Sequence, residues 1–124
     1  VNAPVIDILP EDYGIWFVDA MDHPDTYVGK TVRFKGRALK PRGMGSRFFV
    51  PGRTAMTCCA DDTTFLGYVC KSEEAPKLRE GQWVEVTATV AFEKRMEYQG
   101  EGIVLYADRV EPCEKLPEEM VYFN

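Results

Sequence analysis

The chain of 124 residues lacks several features that would define its class at once. It has no apolar run near the roughly 18 residues that a membrane-spanning helix needs, and its first residues lack the order of a signal peptide. His23 is the only histidine, which excludes a zinc site built from two cysteines and two histidines. We therefore expect a water-soluble domain without an ordinary zinc cluster of two cysteines and two histidines.

Acidic side chains are absent between Lys30 and Arg53, where eight bases occur, although the net charge of the whole chain is −5. Residues 1–29 show the opposite bias, with six acids and no lysine or arginine. A basic block is typical of a surface that meets phosphates, anionic lipid or an acidic partner. The alternative is that folding lays acidic segments over the block and cancels its field. The candidate binding residues are Arg33, Lys35, Arg37, Arg42, Arg47 and Arg53.

Length and composition indicate one domain, because 45% apolar residues in a chain of this size are enough to form a packed core. We assign residues 1–124 to a single domain, with an N-terminal extension at 1–11 and a C-terminal tail at 112–124. The apolar spacing that begins at Tyr13 predicts a short helix, which Pro24 ends. The rest of the chain is dominated by strand patterns.

Alternating apolar residues predict about five strands. The run that follows Gly29 has one dry and one basic face. The run RFFVPGRTAMTCC is expected to be broken or bulged at Pro51, because proline cannot donate to a strand ladder. Two further strands are predicted in TTFLGYVCK and IVLYADRVEP. The clearest strand is WVEVTATVAFE, in which one side is formed by Val84, Val86, Ala88, Val90 and Phe92.

The fold class predicted from these elements is mainly β: a small OB-like antiparallel β-barrel of about five strands with one short N-terminal helix. Gly36 and Gly67 lie inside predicted strands and are expected to mark bends where a small sheet curls. An SH3-like barrel or a compact sandwich is the alternative, since strand order does not follow from the pattern. The terminal MVYFN is expected to pack on the barrel itself, with docking to a neighbouring chain as the alternative.

The stretch GRTAMTCCADDTTFLGYVC holds three of the four cysteines. Neighbouring Cα atoms lie about 3.8 Å apart, too close for the adjacent pair to form a comfortable disulfide. A sharp turn would let the pair hold a zinc-like divalent metal with carboxylate help. Buried structural thiols, or a redox switch between the pair and the third cysteine, are the alternatives. The candidate metal ligands are Cys58, Cys59, Cys70, Asp61 and Asp62.

The pattern favours a non-enzymatic domain, because no nucleophile and base occur in a recognisable arrangement. No small-molecule substrate is indicated. Single-stranded nucleic acid is the alternative ligand: OB barrels stack bases on aromatic rings in a basic groove, and Phe48 and Phe49 follow a basic turn. The acidic residues elsewhere make nucleic acid an unlikely partner.

Several stretches together resemble the C-terminal domain of the YcgQ-type bacterial proteins over about residues 20–124. They are VGKTVRFKG, the cysteine-rich stretch, GQWVEVTATV, EGIVLYADRVEP and the closing VYFN. These proteins are uncharacterised, and many carry N-terminal membrane segments and are encoded beside a predicted permease. The resemblance implies an OB-like domain that is membrane-associated in the full-length protein. It also implies a membrane permease as partner and a link with transport, with metal ions as the candidate cargo.

Overall fold

The computed structural model describes residues 4–56 and 63–122. Within these ranges the chain forms one α-helix and eight strands, joined by turns and short 3-10 segments. The helix is α1 (Tyr13–Asp22). The strands are β1 (Val5–Asp7), β2 (Thr31–Leu39), β3 (Phe48–Met56), β4 (Thr63–Gly67), β5 (Val69–Lys71), β6 (Gln82–Arg95), β7 (Gly100–Pro112) and β8 (Met120–Tyr122).

Five of the strands form a closed ring in the order β2, β6, β7, β5 and β3, which pairs again with β2. The β5–β7 pair is parallel, and the other four pairs of the ring are antiparallel. This ring, with its single helix, is the expected OB-like fold, mainly β, with one parallel pair that the prediction of an antiparallel barrel did not include. Among the residues described, no helix is long and apolar enough to cross a membrane.

Alternation along β2 and β6 builds the core of the ring. In β2 every second residue from Val32 to Ala38 is buried, and in β6 the same holds from Val84 to Val90. Phe92 continues the sequence pattern but is 42% exposed, so its expected place in the core is wrong. The core therefore ends at Val90 on this strand, before β6 extends into the hairpin with β7.

The strand β3 is continuous through Pro51 and Gly52, so the expected break at this point is wrong. The interruption lies in the partner strand instead. The pairs Gly52 with Gly67 and Phe49 with Cys70 place Pro51 opposite Tyr68, where β4 ends before β5 begins. Pro51, which has no N–H group to donate, thus faces Tyr68, which belongs to neither β4 nor β5.

Glycines permit close approach where the three strands β2, β3 and β4 curl. A Cβ atom at Gly36 would lie 2.7 Å from the carbonyl oxygen of Gly52, and one at Gly67 would lie 2.7 Å from that of Pro51. A Cβ at Gly52 would come within 2.1 Å of the carbonyl oxygen of Leu66. Any side chain at these positions would push neighbouring backbones apart, so the curvature depends on glycine.

The helix α1 packs an aromatic cluster against the ring. Tyr13, Trp16 and Phe17 are buried, and the ring of Phe17 stacks on that of Tyr68 with centroids 4.4 Å apart. Phe34 of β2 closes the cluster, 5.6 Å from Trp16. Burial of aromatic rings of this size contributes strongly to stability, so the helix is an integral part of the domain.

Both terminal segments add strands to the sheet. β1 pairs in parallel with β2, and β8, within the predicted C-terminal tail, pairs in parallel with β3. Val121 is buried, as is Leu116 before it. The expectation that the closing residues pack on the barrel itself is therefore confirmed for this part of the chain.

Candidate binding face

The basic block does not form one open cationic surface. Arg33 on β2 makes a two-pronged ion pair with Asp7 of β1, with Nε 2.7 Å and Nη2 3.0 Å from the carboxylate oxygens. Lys35 lies opposite Glu85 in the β2–β6 ladder, and Arg47 forms an ion pair with Glu73. The acidic N-terminal segment thus covers part of the block, which agrees with the alternative that folding cancels the field.

Arg53 lies inside the protein, so the prediction that it belongs to a basic binding surface is wrong. Its side chain is 2% exposed, and burial lowers the pKa of its guanidinium below the ordinary value. The guanidinium donates to the main-chain carbonyl oxygens of Pro10, Glu118 and Glu119, at 3.1, 2.9 and 3.4 Å. The group therefore joins β3 to both terminal segments.

Four of the candidate metal ligands, Cys58, Cys59, Asp61 and Asp62, lie outside the described residues. Cys70 is described, and it is fully buried in the core opposite Phe49 of β3. Met56, the last described residue before the gap, lies seven positions further along β3, or about 23 Å of extended strand. Cys70 therefore lies near the opposite end of β3 from the gap in the described residues.

The environment of Cys70 argues against reactivity. Burial raises the pKa of its thiol well above the ordinary value, which suppresses the thiolate that metal binding and disulfide exchange require. In the described part of the chain, no three side chains of the metal-binding types come together. Cys70 is best described as a core residue.

A different group of side chains shares the outer surface of three ring strands. Phe48 of β3 pairs with Lys71 of β5, which pairs with Tyr106 of β7. The next residues in register, Phe49, Cys70 and Leu105, form a fully buried row. Because neighbouring strand residues point to opposite sides, Phe48, Lys71 and Tyr106 face outward together.

Arg95, at the end of β6, completes this group. Its guanidinium lies over the ring of Phe48 at 4.2 Å from the centroid, and the ammonium nitrogen of Lys71 lies 6.0 Å from the same centroid. Both distances fall in the range of cation–π attraction. We call the four side chains Phe48, Lys71, Arg95 and Tyr106 the aromatic face.

One ion pair and one hydrogen bond to a carboxylate hold the aromatic face in place. Arg95 donates from Nε and Nη2 to the carboxylate of Glu97, at 2.9 and 3.0 Å. This hydrogen bonding lowers the pKa of Glu97 and raises that of Arg95. Tyr106 donates to Glu93, which raises the pKa of the phenol. The face is therefore aromatic and hydrogen-bonded, and its positive charge outside an ion pair with a described residue is that of exposed Lys71.

Two loops flank the aromatic face. Residues 40–47 connect the first and second strands of the ring, and residues 96–99 connect the fourth and fifth. In OB folds the corresponding loops and the surface of the second and third strands form the ligand-binding region. Arg42 lies exposed in the first loop, and Met96 of the second is 92% exposed.

Tyr98 fixes the second loop to the ring. Its hydroxyl donates to the carbonyl oxygen of Ile103 at 2.6 Å and accepts from the N–H of Val69 at 2.9 Å. A Cβ atom at Gly102 would lie 2.5 Å from the Tyr98 ring, so glycine makes room for it. The loop that carries Met96 is thereby held beside β5.

The sequence pattern indicates Arg47 and Phe48 as binding candidates, but it does not indicate Lys71, Arg95 or Tyr106. Arg37, another candidate residue, only approaches the carbonyl oxygen of Gly81, at 3.5 Å. Alternation along each strand could have shown that Phe48 and Tyr106 point outward. The pairing that makes them neighbours depends on closure of the ring, which no local pattern contains.

A family model described as the DUF1980 C-terminal domain matches residues 1–123. Among solved structures, U. maydis replication protein A bound to ssDNA is similar, with a TM-score of 0.50 and 16% identity over 92% of this chain and 77% of that one. An aspartyl-tRNA synthetase from Leishmania major has a TM-score of 0.47 and 18% identity, over 94% of this chain and 22% of that one. A search of curated proteins found no significant match.

Proposed function

The chain belongs to the DUF1980 C-terminal domain family, and we propose that it is a non-enzymatic binding domain that holds a segment of a partner protein on its aromatic face. The observation that carries this proposal is the stack of Arg95 on Phe48, beside Lys71, on the surface that OB folds use for ligands. Aromatic and arginine side chains of this kind are enriched at the centres of protein interfaces.

The charge balance favours a protein segment over nucleic acid. Arg95 and Arg47 are each paired with a carboxylate, and both pairs would have to separate before the arginines could neutralise phosphates. A peptide can instead pack against Phe48 and Tyr106 and accept a hydrogen bond from Lys71, leaving the ion pairs intact. Such a surface contributes affinity mainly through contact area and hydrogen bonds.

The resemblance to YcgQ-type proteins supports a membrane-linked setting, and we propose the permease encoded beside these proteins as the partner. A divalent-metal role would depend on Cys58, Cys59, Asp61 and Asp62 without Cys70. Elemental analysis of protein purified without chelator tests that role separately. Bound metal that survives alanine replacement of Cys58 and Cys59 would exclude it.

The test is co-purification of this domain with the detergent-solubilised permease, followed by size-exclusion chromatography. We expect Phe48→Ala and Lys71→Glu each to weaken the complex at least tenfold. Arg109→Glu is the matched control, because it reverses one exposed charge on β7 outside the aromatic face. If both Lys71→Glu and Arg109→Glu bind like the original protein, the aromatic face is not the interface.

Single-stranded nucleic acid is the second candidate, because aromatic and basic side chains do lie together on this face. The replication protein A structure, which is bound to ssDNA, is similar in fold, and this likeness is the further support. Binding of a fluorescent oligonucleotide that weakens with salt and is lost in Phe48→Ala would replace the protein-segment proposal. We expect no such binding at 0.15 M salt.

A further inference from the structure

The helix α1 has a second face that the core does not use. Its inner face is buried, whereas Ile15 is 69% and Met21 57% exposed, and Val18 between them is also exposed. Residues three apart lie on the same side of a helix, so the three apolar side chains form one stripe. A helix on a protein surface normally presents polar residues there, so this stripe is unusual.

The stripe continues from the helix onto the ring. Met21 and Pro24 line a cavity of about 320 Å³ together with the exposed ring of Phe92 and the ring of Tyr98. Ile15 and Val18 line a neighbouring depression of similar volume. The position of Phe92, which breaks the core pattern of β6, is thereby accounted for as one wall of an apolar groove.

The groove has an acidic rim. Asp19 and Asp22 line the part beside Ile15 and Val18, and Glu101 lines the part beside Phe92. Neither lining contains a lysine or an arginine. Residues 1–29 carry six acids and no lysine or arginine, and His23 also lines the part beside Ile15 and Val18. We call Ile15, Val18, Met21 and Phe92, with these three acids, the acidic groove.

We propose that the acidic groove binds a basic amphipathic helix of a partner protein. An apolar stripe on such a helix fits the groove formed by Val18, Met21 and Phe92, and flanking lysines or arginines match Asp22 and Glu101. An anionic lipid surface would be repelled by the same acids. This inference is independent of the aromatic face, because it rests on different residues and on the opposite charge.

The probe for the test is a fluorescent 14-residue helix of leucine and lysine with one apolar face, measured by fluorescence anisotropy at 0.15 M salt. The matched probe replaces each lysine with glutamate. We expect saturable binding of the basic peptide, and binding of the acidic peptide at least tenfold weaker. Equal binding of the two peptides would overturn the proposal.

Variants separate the groove from general charge attraction. Val18→Ser with Met21→Ser should weaken binding at least tenfold, and Asp22→Lys about threefold or more. The controls are Leu9→Ser, an exposed apolar residue outside the groove, and Glu111→Lys, an exposed acid on β7. Thermal unfolding verifies that each variant folds. Equal losses in groove variants and controls would overturn the proposal.

Other occupants give distinct results. We expect no binding of the protein to vesicles that contain one third phosphatidylglycerol. If the protein does bind these vesicles and Met21→Ser abolishes the binding, the stripe is a lipid-binding surface. Size-exclusion chromatography with light scattering should show the same mass for the unmodified protein and for the double variant that combines Val18→Ser and Met21→Ser. A dimer that this variant breaks would assign the stripe to a second copy. Either result would overturn the proposal.

Discussion

Arg53 donates a 2.9 Å hydrogen bond from Nη2 to the main-chain carbonyl oxygen of Glu118, which ties the middle of β3 to the C-terminal segment. We expect Arg53→Met to lower the free energy of unfolding by about 1–3 kcal/mol, because the carbonyl oxygens of Pro10, Glu118 and Glu119 lose their donor. Urea denaturation measures the change.

The control for this variant is Arg42→Met, since Arg42 is exposed in the loop 40–47. It should change stability by no more than about 0.5 kcal/mol. A stability of Arg53→Met equal to that of the control would contradict the structural role. Hydrogen exchange at the amides of β8 gives a second readout, because this strand should open first when its tie to Arg53 is removed.

The hydrogen-bond partners of Arg53 cannot be predicted from a local sequence pattern. The alternation of Val32, Phe34 and Ala38 predicts which face of β2 is dry, because each of these residues meets the core. Alternation along β3 places Arg53 on the same side as buried Phe49 and Ala55, but it does not predict which groups the guanidinium meets there. Its surroundings come from segments near residues 10 and 118, which meet β3 only after the ring has closed.

The aromatic face, likewise, can be predicted from the sequence only in part. The outward direction of Phe48 follows from its alternation with buried Phe49, and the basic character of the region is plain in the sequence. Arg95 reaches Phe48 only because the long β6–β7 hairpin brings its turn beside the start of β3. A contact across 47 positions of chain is a property of topology, so no local pattern predicts it.

The curl of the sheet predicts a strong effect at Gly52. A Cβ atom there would lie 2.1 Å from the carbonyl oxygen of Leu66, a clash with backbone that no side-chain movement relieves. We expect Gly52→Ala to lose more than about 3 kcal/mol of stability or to fail to fold. Gly43→Ala is the control, because a Cβ there meets open space and the cost is that of its φ of +84°, about 1 kcal/mol. Comparable stability of the two variants by urea denaturation would argue against the close approach.

The two described cysteines should differ in reactivity. Cys70 is fully buried with a raised thiol pKa, whereas Cys113 is partly accessible. We expect iodoacetamide at pH 8 to modify Cys113 in the native protein at least tenfold faster than Cys70, and to modify both at similar rates in urea. Mass spectrometry of the peptides distinguishes the two sites. Rapid native modification of Cys70 would place its sulfur at an accessible surface and reopen its role as a ligand.

The ion pair of Asp7 with Arg33 predicts how the edge strand β1 responds to acid. The hydrogen bond from Arg33 holds the pKa of Asp7 below its ordinary value of 3.8. A carboxylate with a lowered folded-state pKa stabilises the fold fully above pH 3.8, and this contribution is lost as the pH falls through the folded-state pKa. In a titration followed by NMR, the Asp7 carboxyl should therefore have its midpoint below 3.8. The amide of Ile8, which donates to the carbonyl oxygen of Arg33, should report the same transition.

Arg33→Met should raise the midpoint of the Asp7 titration, and 1 M salt should raise it in the unmodified protein because the ion pair is exposed. Arg42→Met, which removes an exposed charge in the loop 40–47 beyond the far end of β2, should leave the titration unchanged. If Arg33→Met does not move the midpoint, the ion pair with Arg33 is not what lowers the pKa of Asp7.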